Sequence, residues 1–254
     1  MNLVADLHTH TISSGHAYST IAENLAEAAK KGLKLMAVTD HGPHMPGGPH
    51  LYYFGTMRVL PNKYMGIELL KGIEANIIDL EGSIDLPDIY YPMLDIVLAG
   101  FHTYCYPGGN IKENTRAMIK AMQNPLVDVI VHPGNPEFMV DPAEIVLAAK
   151  EYGILLEINN SSLGLSRAGS YGNCLKIAEK IAEAGIKVAV GSDAHWAGQV
   201  GDFSAALGLI AKAGIKEEQV INRSVEEIHA YLRRRRPEEK KKQLQTQGRE
   251  ELNI

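Results

Sequence analysis

The sequence predicts an α/β fold in which a parallel sheet closes into a (β/α) barrel, and three observations predict it. Seven short apolar runs are separated, in most cases, by stretches whose apolar residues have helical spacing. That alternation buries a parallel sheet beneath helices. The runs end in polar residues of a few kinds: His8 and His10, His41, Glu74, His102, His132, Glu157, then Asp193 and His195. Counted from His8, the steps between ends are 33, 33, 28, 30, 25 and 36 residues, near the ~30 residues of one βα unit. A barrel gathers its strand ends round one mouth, whereas an open doubly wound sheet spreads them along an edge. Related groups on the first and last strands favour closure.

In chain order, "LVAD" is the first strand, and "IAENLAEAAKKG" is a helix that Gly32 stops. "LKLMAVTD" is the second strand. Residues 43–66, rich in Pro, Gly and aromatics, read as a long loop leading into a short helix. "LLKGIEAN" follows as a strand, and residues 75–92 read as a small hairpin around Gly82. Then come strand "DIVLAGFH", helix "KENTRAMIKAMQ", strand "DVIVHPG", helix "PAEIVLAAKEYG", strand "GILLEINN", helix "NCLKIAEKIAEAG" and strand "IKVAVGSD". One domain is expected over residues 1–232. Residues 233–254, beginning "RRRRPEEKKK", carry runs of like charge and almost nothing apolar, and read as a solvated tail rather than a nucleic-acid arm.

The 254 residues are 45% hydrophobic, enough for a large core, and the net charge of -5 gives no pull toward nucleic acid or membrane. Two cysteines, Cys105 and Cys174, suit a reducing compartment better than a disulfide framework. No basic stretch followed by an apolar one marks a secretory signal, and no apolar run nears the ~20 residues of a membrane span. A soluble, cytoplasmic protein is the expectation.

In H-x-H at a strand end, the two imidazoles of His8 and His10 share one face. "GSDAH" repeats the spacing with Asp193 and His195, and His16 lies in the first loop. Seven histidines with Glu74 and Asp193 on one rim point to a metal centre. Neutral imidazole and carboxylate suit Zn²⁺, Mn²⁺ or Fe²⁺.

The segments "DLHTH", "TDHG", "GIEANI", "GFH", "HPGNP", "EINNSS" and "GSDAH" resemble, in order, the motifs of the polymerase-and-histidinol-phosphatase (PHP) superfamily, and within it the YcdX-like phosphatases. The resemblance runs from residue 3 to about 232. It implies a distorted (β/α)7 TIM-like barrel with three metal ions, commonly zinc, at the C-terminal ends of the strands. It also implies that His8, His10, Glu74 and Asp193 hold the first ion. Glu74 would bridge to a second, which takes His102 and His132, and His16, His41 and His195 would hold the third. The loop "TYCYPGGN" after His102 departs from the family pattern, which leaves the substrate-facing wall open.

Three divalent ions bring six positive charges and the two ligating carboxylates remove two, leaving about four to attract anions. A bridging carboxylate holds two metals ~3.5–4 Å apart, a spacing suited to in-line displacement at phosphorus. The expected activity is therefore hydrolysis of a small phosphomonoester by a metal-activated water, with Asp193 as proton acceptor and Glu74 as bridge. Its rivals are a PHP phosphodiesterase acting on nucleic acid, an amidohydrolase-type hydrolase with one or two metals, and a non-catalytic metal-binding module. The natural substrate and the oligomeric state stay open.

Other residues carry two readings each. Arg167, in "GLSRAGS", is the candidate phosphate clamp, or else pairs with a neighbouring loop. Ser166 and Ser170 either assist it or only shape the turn. Asp6 and Asp40 either orient imidazoles or are structural, and Glu157 is read as structural. Arg58 is read as solvated. His44 and His50 exceed the nine ligands and are expected at the pocket entrance or in solvent, and His229 carries no assigned function.

Overall fold

The computed structural model describes residues 1–164 and 166–235. Strands β1 (Ala5–Asp6), β2 (Leu35–Val38), β4 (Ile67–Asn76), β5 (Ile96–Gly100), β6 (Val129–Ile130), β7 (Leu155–Asn159) and β8 (Val188–Gly191) run parallel in chain order. Helices α1 (Ile21–Lys30), α2 (Leu51–Thr56), α3 (Ile111–Gln123), α4 (Pro142–Tyr152), α5 (Tyr171–Ala184), α6 (Ser204–Ala213) and α7 (Val225–Arg235) connect and cover them. This is the expected barrel, and its seam is irregular. At the C-terminal end, Thr9 bridges Ala194 in parallel, with Asp193 N–H donating to His8 O and His10 N–H to Ala194 O, both at 2.9 Å. At the other end a side chain closes the gap. Asn222, fully buried, accepts Val190 N–H at 2.7 Å and donates to Val190 O at 2.7 Å and Ala5 O at 3.0 Å. One amide thus satisfies backbone groups on β1 and β8 that would otherwise be buried without partners.

Side-chain alternation along the strands divides the core. Leu35, Ala37, Ile96, Leu98, Val129, Leu155 and Ala189 fill the barrel, and Ile228, Tyr231 and Leu232 of α7 plug its N-terminal mouth. Their neighbours Met36, Val38, Val97, Ala99, Ile130, Leu156, Ile158 and Val190 face the helices. Glu157 follows Leu155 on the inward face, and Glu74 follows Leu70 by four residues. The interior is therefore apolar below and charged at the C-terminal mouth.

Helix ends follow the local sequence. Thr20 and Asn110 make reciprocal capping boxes with Glu23 and Glu113, Asp141 caps α4 with Pro142 in its first turn, and Gly153 and Gly185 end α4 and α5 in the left-handed region. The 75–92 segment does form a small hairpin, with Ile77 bridging Ile84. The 43–66 segment contains, besides the short α2, strand β3 (Lys63–Tyr64), which pairs antiparallel with β4. Its turn is Met65 and Gly66, with φ 51° and 82°, the double left-handed pair of a tight hairpin. Methionine there hides the usual Asn-Gly signal. Residues 233–235 of the expected tail instead complete α7, where Arg235 donates to Tyr152 O and Val127 O, and residues 236–254 lie outside the described residues. Among those described, no helix is long and apolar enough to cross a membrane.

Candidate metal centre

The barrel seam brings H-x-H against D-x-H. His8 and His10 sit just past β1, Asp193 and His195 just past β8, and the two extensions are hydrogen-bonded to each other. The Nε2 atoms of His8 and His10 lie 3.0 Å apart. His10 Nε2 is 3.2 Å from Asp193 Oδ1 and 3.3 Å from Glu74 Oε2. Glu74, at the end of β4, is the hub: its Oε1 is 2.9 Å from His102 Nε2 and 2.6 Å from His132 Nε2, and its Oε2 is 2.8 Å from His41 Nδ1 and 3.4 Å from His8 Nε2. His16 stacks on this group with ring centroids 5.0 Å from both His41 and His195. All nine residues singled out from the sequence therefore converge. Three sets have donor atoms close enough to share an ion: His8, His10 and Asp193; His41, Glu74 and His102; and His10, His41 and His195.

The donor chemistry fits cations. Glu74 Oε2 and Asp193 Oδ1 are buried with imidazole nitrogens close by, His41 Nδ1 at 2.8 Å and His10 Nε2 at 3.2 Å, but without a well-aligned hydrogen bond, and His41 Nδ1 and His102 Nδ1 are likewise unsatisfied. A buried charge left so is costly unless an opposite charge meets it. Burial opposes ionisation of both carboxylates, yet the imidazoles around Glu74, and His8 with Arg167 beside Asp193, hold each well below the usual carboxylate range. Burial lowers His41, His102 and His132, and burial with the neighbouring His195 and His41 drives His10 well down. His16 falls to about 4, by burial and then by His41 and His195. These imidazoles are neutral at neutral pH, with lone pairs available to a metal. His8 is the exception: burial opposes its charge, but Glu157, Glu74 and Asp193 outweigh it and raise its pKa well above the ordinary value.

Strain accompanies the site. His132 and Asp193 have left-handed backbones, with φ 35° and 55°, a conformation that costs non-glycine residues about 1–3 kcal/mol each. Asp193 N–H is held by His8 O, and His132 N–H donates to Glu157 Oε2 at 2.9 Å.

The centre opens on a cavity of about 610 Å³. Arg167 reaches into it, its Nη1 2.8 Å from Asp193 Oδ2 and 3.3 Å from Ser162 Oγ. Ser166 is on the wall with its hydroxyl on Ser161 O, while Ser170 turns back to Arg167 O. The opposite wall, which the sequence left open, comes from Phe101, Thr103 and Tyr104, with Met45, Pro46, Asn135 and Glu137. Tyr104 is 87% exposed with φ 73°. No sequence signal marked it beyond the unmatched loop.

The remaining candidates divide. Glu157 Oε1 is 2.8 Å from His8 Nδ1 and its Oε2 also accepts Asn159 Nδ2 at 3.0 Å, so it orients an imidazole as well as shaping the fold. Asp40 acts on His10 through Ser14, a residue with no sequence signal. Asp6 accepts backbone N–H groups of His8, Ser192 and Gly201 and touches no ring nitrogen. His50 caps α2 through Tyr52 N–H, His44 lies near Asp85, and neither lines the cavity. Arg58 is exposed away from it, and His229 pairs with Glu68.

Comparison with known proteins gives a consistent picture. A family model described as "PHP domain" matches residues 6–161. A probable phosphatase of Thermoanaerobacter sp. (strain X514) is 55% identical over 237 residues, covering 93% of this chain and 97% of its own. A probable phosphatase of Acetivibrio thermocellus is 45% identical over 236 residues, covering 93% and 98%. Among solved structures, histidinol phosphate phosphatase from Lactococcus lactis, complexed with zinc, L-histidinol and phosphate, superposes with TM-score 0.61 at 19% identity, covering 84% of this chain and 94% of its own. A dihydroorotase superposes with TM-score 0.53 at 14% identity, covering 90% and 68%. At those identities the likeness is one of fold.

Proposed function

Because the chain belongs to the PHP domain family, we propose that it is a phosphatase that hydrolyses small phosphomonoesters with the help of bound divalent metal ions, zinc first among them. The carrying observation is the pair of buried carboxylate oxygens, Glu74 Oε2 and Asp193 Oδ1, crowded by imidazole nitrogens yet without a well-aligned hydrogen bond. The names of the relatives and the zinc and phosphate bound by the L. lactis structure support the same reading.

In this reading His8, His10, Glu74 and Asp193 would hold one ion. Glu74, with His102 and His132, would hold a second, and His16, His41 and His195 a third. Bound divalent ions supply Lewis acidity, charge for phosphoryl oxygens and a lowered water pKa. The chain's own residues do the rest. Arg167, already turned toward Asp193, pairs its guanidinium with phosphate oxygens, and the Ser166 hydroxyl assists from the same wall by turning its hydrogen from Ser161 O to the phosphate. As the water oxygen bonds to phosphorus and the ester P–O bond breaks, the Asp193 carboxylate would take the proton from the attacking water, and the departing alkoxide takes its proton from solvent in the open cavity. The cavity leaves room for the leaving group beside Tyr104 and Phe101.

The test is phosphate release from a panel of phosphomonoesters by metal-defined protein, with a nucleoside monophosphate set against a short oligonucleotide. The expected result is hydrolysis of monoesters that vanishes with chelator and falls at least ~100-fold in His102→Ala, the upper scale for loss of a group supporting a metal site. Turnover of the oligonucleotide alone, or none of either by reconstituted protein, overturns it.

A further inference from the structure

We propose that Ser14, polarised by Asp40, is a positioning residue that fixes His10 in its Nδ1–H tautomer and so turns a free Nε2 lone pair into the imidazole cluster. The assignment follows from counting hydrogens. Asp40 Oδ1 lies 2.7 Å from both Thr11 N and Ser14 Oγ, and its Oδ2 lies 2.8 Å from Thr11 Oγ1 and 2.7 Å from Tyr53 OH. With four donors on its two oxygens, Asp40 only accepts. The single hydrogen of Ser14 therefore goes to Asp40. Ser14 Oγ also accepts His41 N–H at 3.1 Å. At 3.0 Å from His10 Nδ1 it again has only a lone pair to offer, so the hydrogen of that bond belongs to His10. Every heavy atom of the chain from Asp40 through Ser14 to His10 belongs to a buried residue.

The arrangement differs from that of the neighbouring ligand. His8 takes its orientation directly from a carboxylate, Glu157. His10 takes it from a neutral hydroxyl, and the charge behind that hydroxyl is spread over four donors. The cluster, already carrying Glu74, Asp193 and Glu157, gains a fixed tautomer at His10 without a further carboxylate against its rings. A tautomer fixed in this way sets ligand orientation and basicity, a contribution worth about 10–100-fold in metal affinity. The functional part of the inference rests on the metal reading above; the tautomer itself does not.

Long-range ¹H–¹⁵N correlation spectra of wild-type protein labelled at histidine, recorded metal-free and zinc-loaded, read the tautomer directly. The expected spectrum has the His10 hydrogen on Nδ1 in both; a hydrogen on Nε2 and none on Nδ1 overturns the proposal whether or not any variant folds. Chelator competition then compares zinc affinity in Ser14→Ala with that in Thr115→Val. Thr115 is a buried hydroxyl that accepts Asp141 N–H at 2.8 Å, far in the chain from every ring. Ser14→Ala is expected to weaken one class of bound zinc about 10–100-fold while Thr115→Val leaves all classes unchanged. Wild-type zinc affinity in Ser14→Ala, or an equal loss in Thr115→Val, contradicts it. Wild-type protein that takes up no zinc refutes the metal reading instead, and the metal-free spectrum still decides the tautomer.

Discussion

Replacing Glu157 by glutamine exchanges one buried oxygen for an NH2 group, and the structure leaves that group nowhere favourable to go. One carboxylate oxygen faces His8 Nδ1 at 2.8 Å, and the other accepts both His132 N–H at 2.9 Å and Asn159 Nδ2 at 3.0 Å. If the amide nitrogen turns toward His132 and Asn159, it meets two donors, one of them a backbone N–H on a left-handed residue. If it turns toward His8, it meets the Nδ1 hydrogen and forces that ring to give it up, leaving a hydrogen only on Nε2, the nitrogen aimed at His10, Glu74 and Asp193. The first choice leaves His132 N–H and Asn159 Nδ2 without an acceptor and the second leaves the other amide N–H without one, at about 1–3 kcal/mol per unsatisfied donor. For a chain of this size each kcal/mol shifts the melting temperature by about 2–4 °C. Metal affinity is expected to fall about 10–100-fold. Thermal melting of the metal-free variant and chelator competition on the loaded one measure the two effects separately. Melting and zinc affinity both equal to wild type would refute the reasoning, because no arrangement of the glutamine satisfies all three partners while His8 keeps a hydrogen on Nδ1.

Further predictions test other parts. Arg167→Ala removes charge-assisted bonds worth about 1.5–3 kcal/mol, so kcat/KM for phosphomonoesters should fall roughly 10–150-fold with zinc content unchanged, as steady-state kinetics and metal analysis would show. Gly191→Ala places a methyl group against Glu157 Oε1 and His8 Cβ and should reproduce the weakened zinc binding of Glu157→Gln in the same competition assay. Asn222→Ala strips Val190 N–H of its acceptor at the barrel seam. It should destabilise the fold by at least about 1–3 kcal/mol in denaturant melts, while the protein that remains folded keeps its KM.

The parts of the molecule that were legible in the sequence are those with a period. Strands and helices alternate every ~30 residues, so the polar residue at each strand end stands out, and one barrel mouth collects them. What was hidden depends on partners far along the chain. Ser14 has no signal in the sequence, because its partner Asp40 lies 26 positions on. Asn222 has no signal in the sequence, yet it serves as a rung between the first and last strands, 217 positions from Ala5. The β3 hairpin escaped because Met65 adopts a backbone that glycine or asparagine usually announces. Arg167 drew two readings, phosphate clamp or salt bridge to a neighbouring loop, and the contact found is an ion pair with Asp193 at the cavity.

X-ray diffraction above and below the zinc edge, on crystals of zinc-loaded protein, tests the account most directly. It predicts three anomalous peaks inside the barrel mouth, one among His8, His10, Glu74 and Asp193, one among Glu74, His102 and His132, and one among His16, His41 and His195. Anomalous density absent from the mouth of fully reconstituted protein, or found only at surface residues, would contradict it.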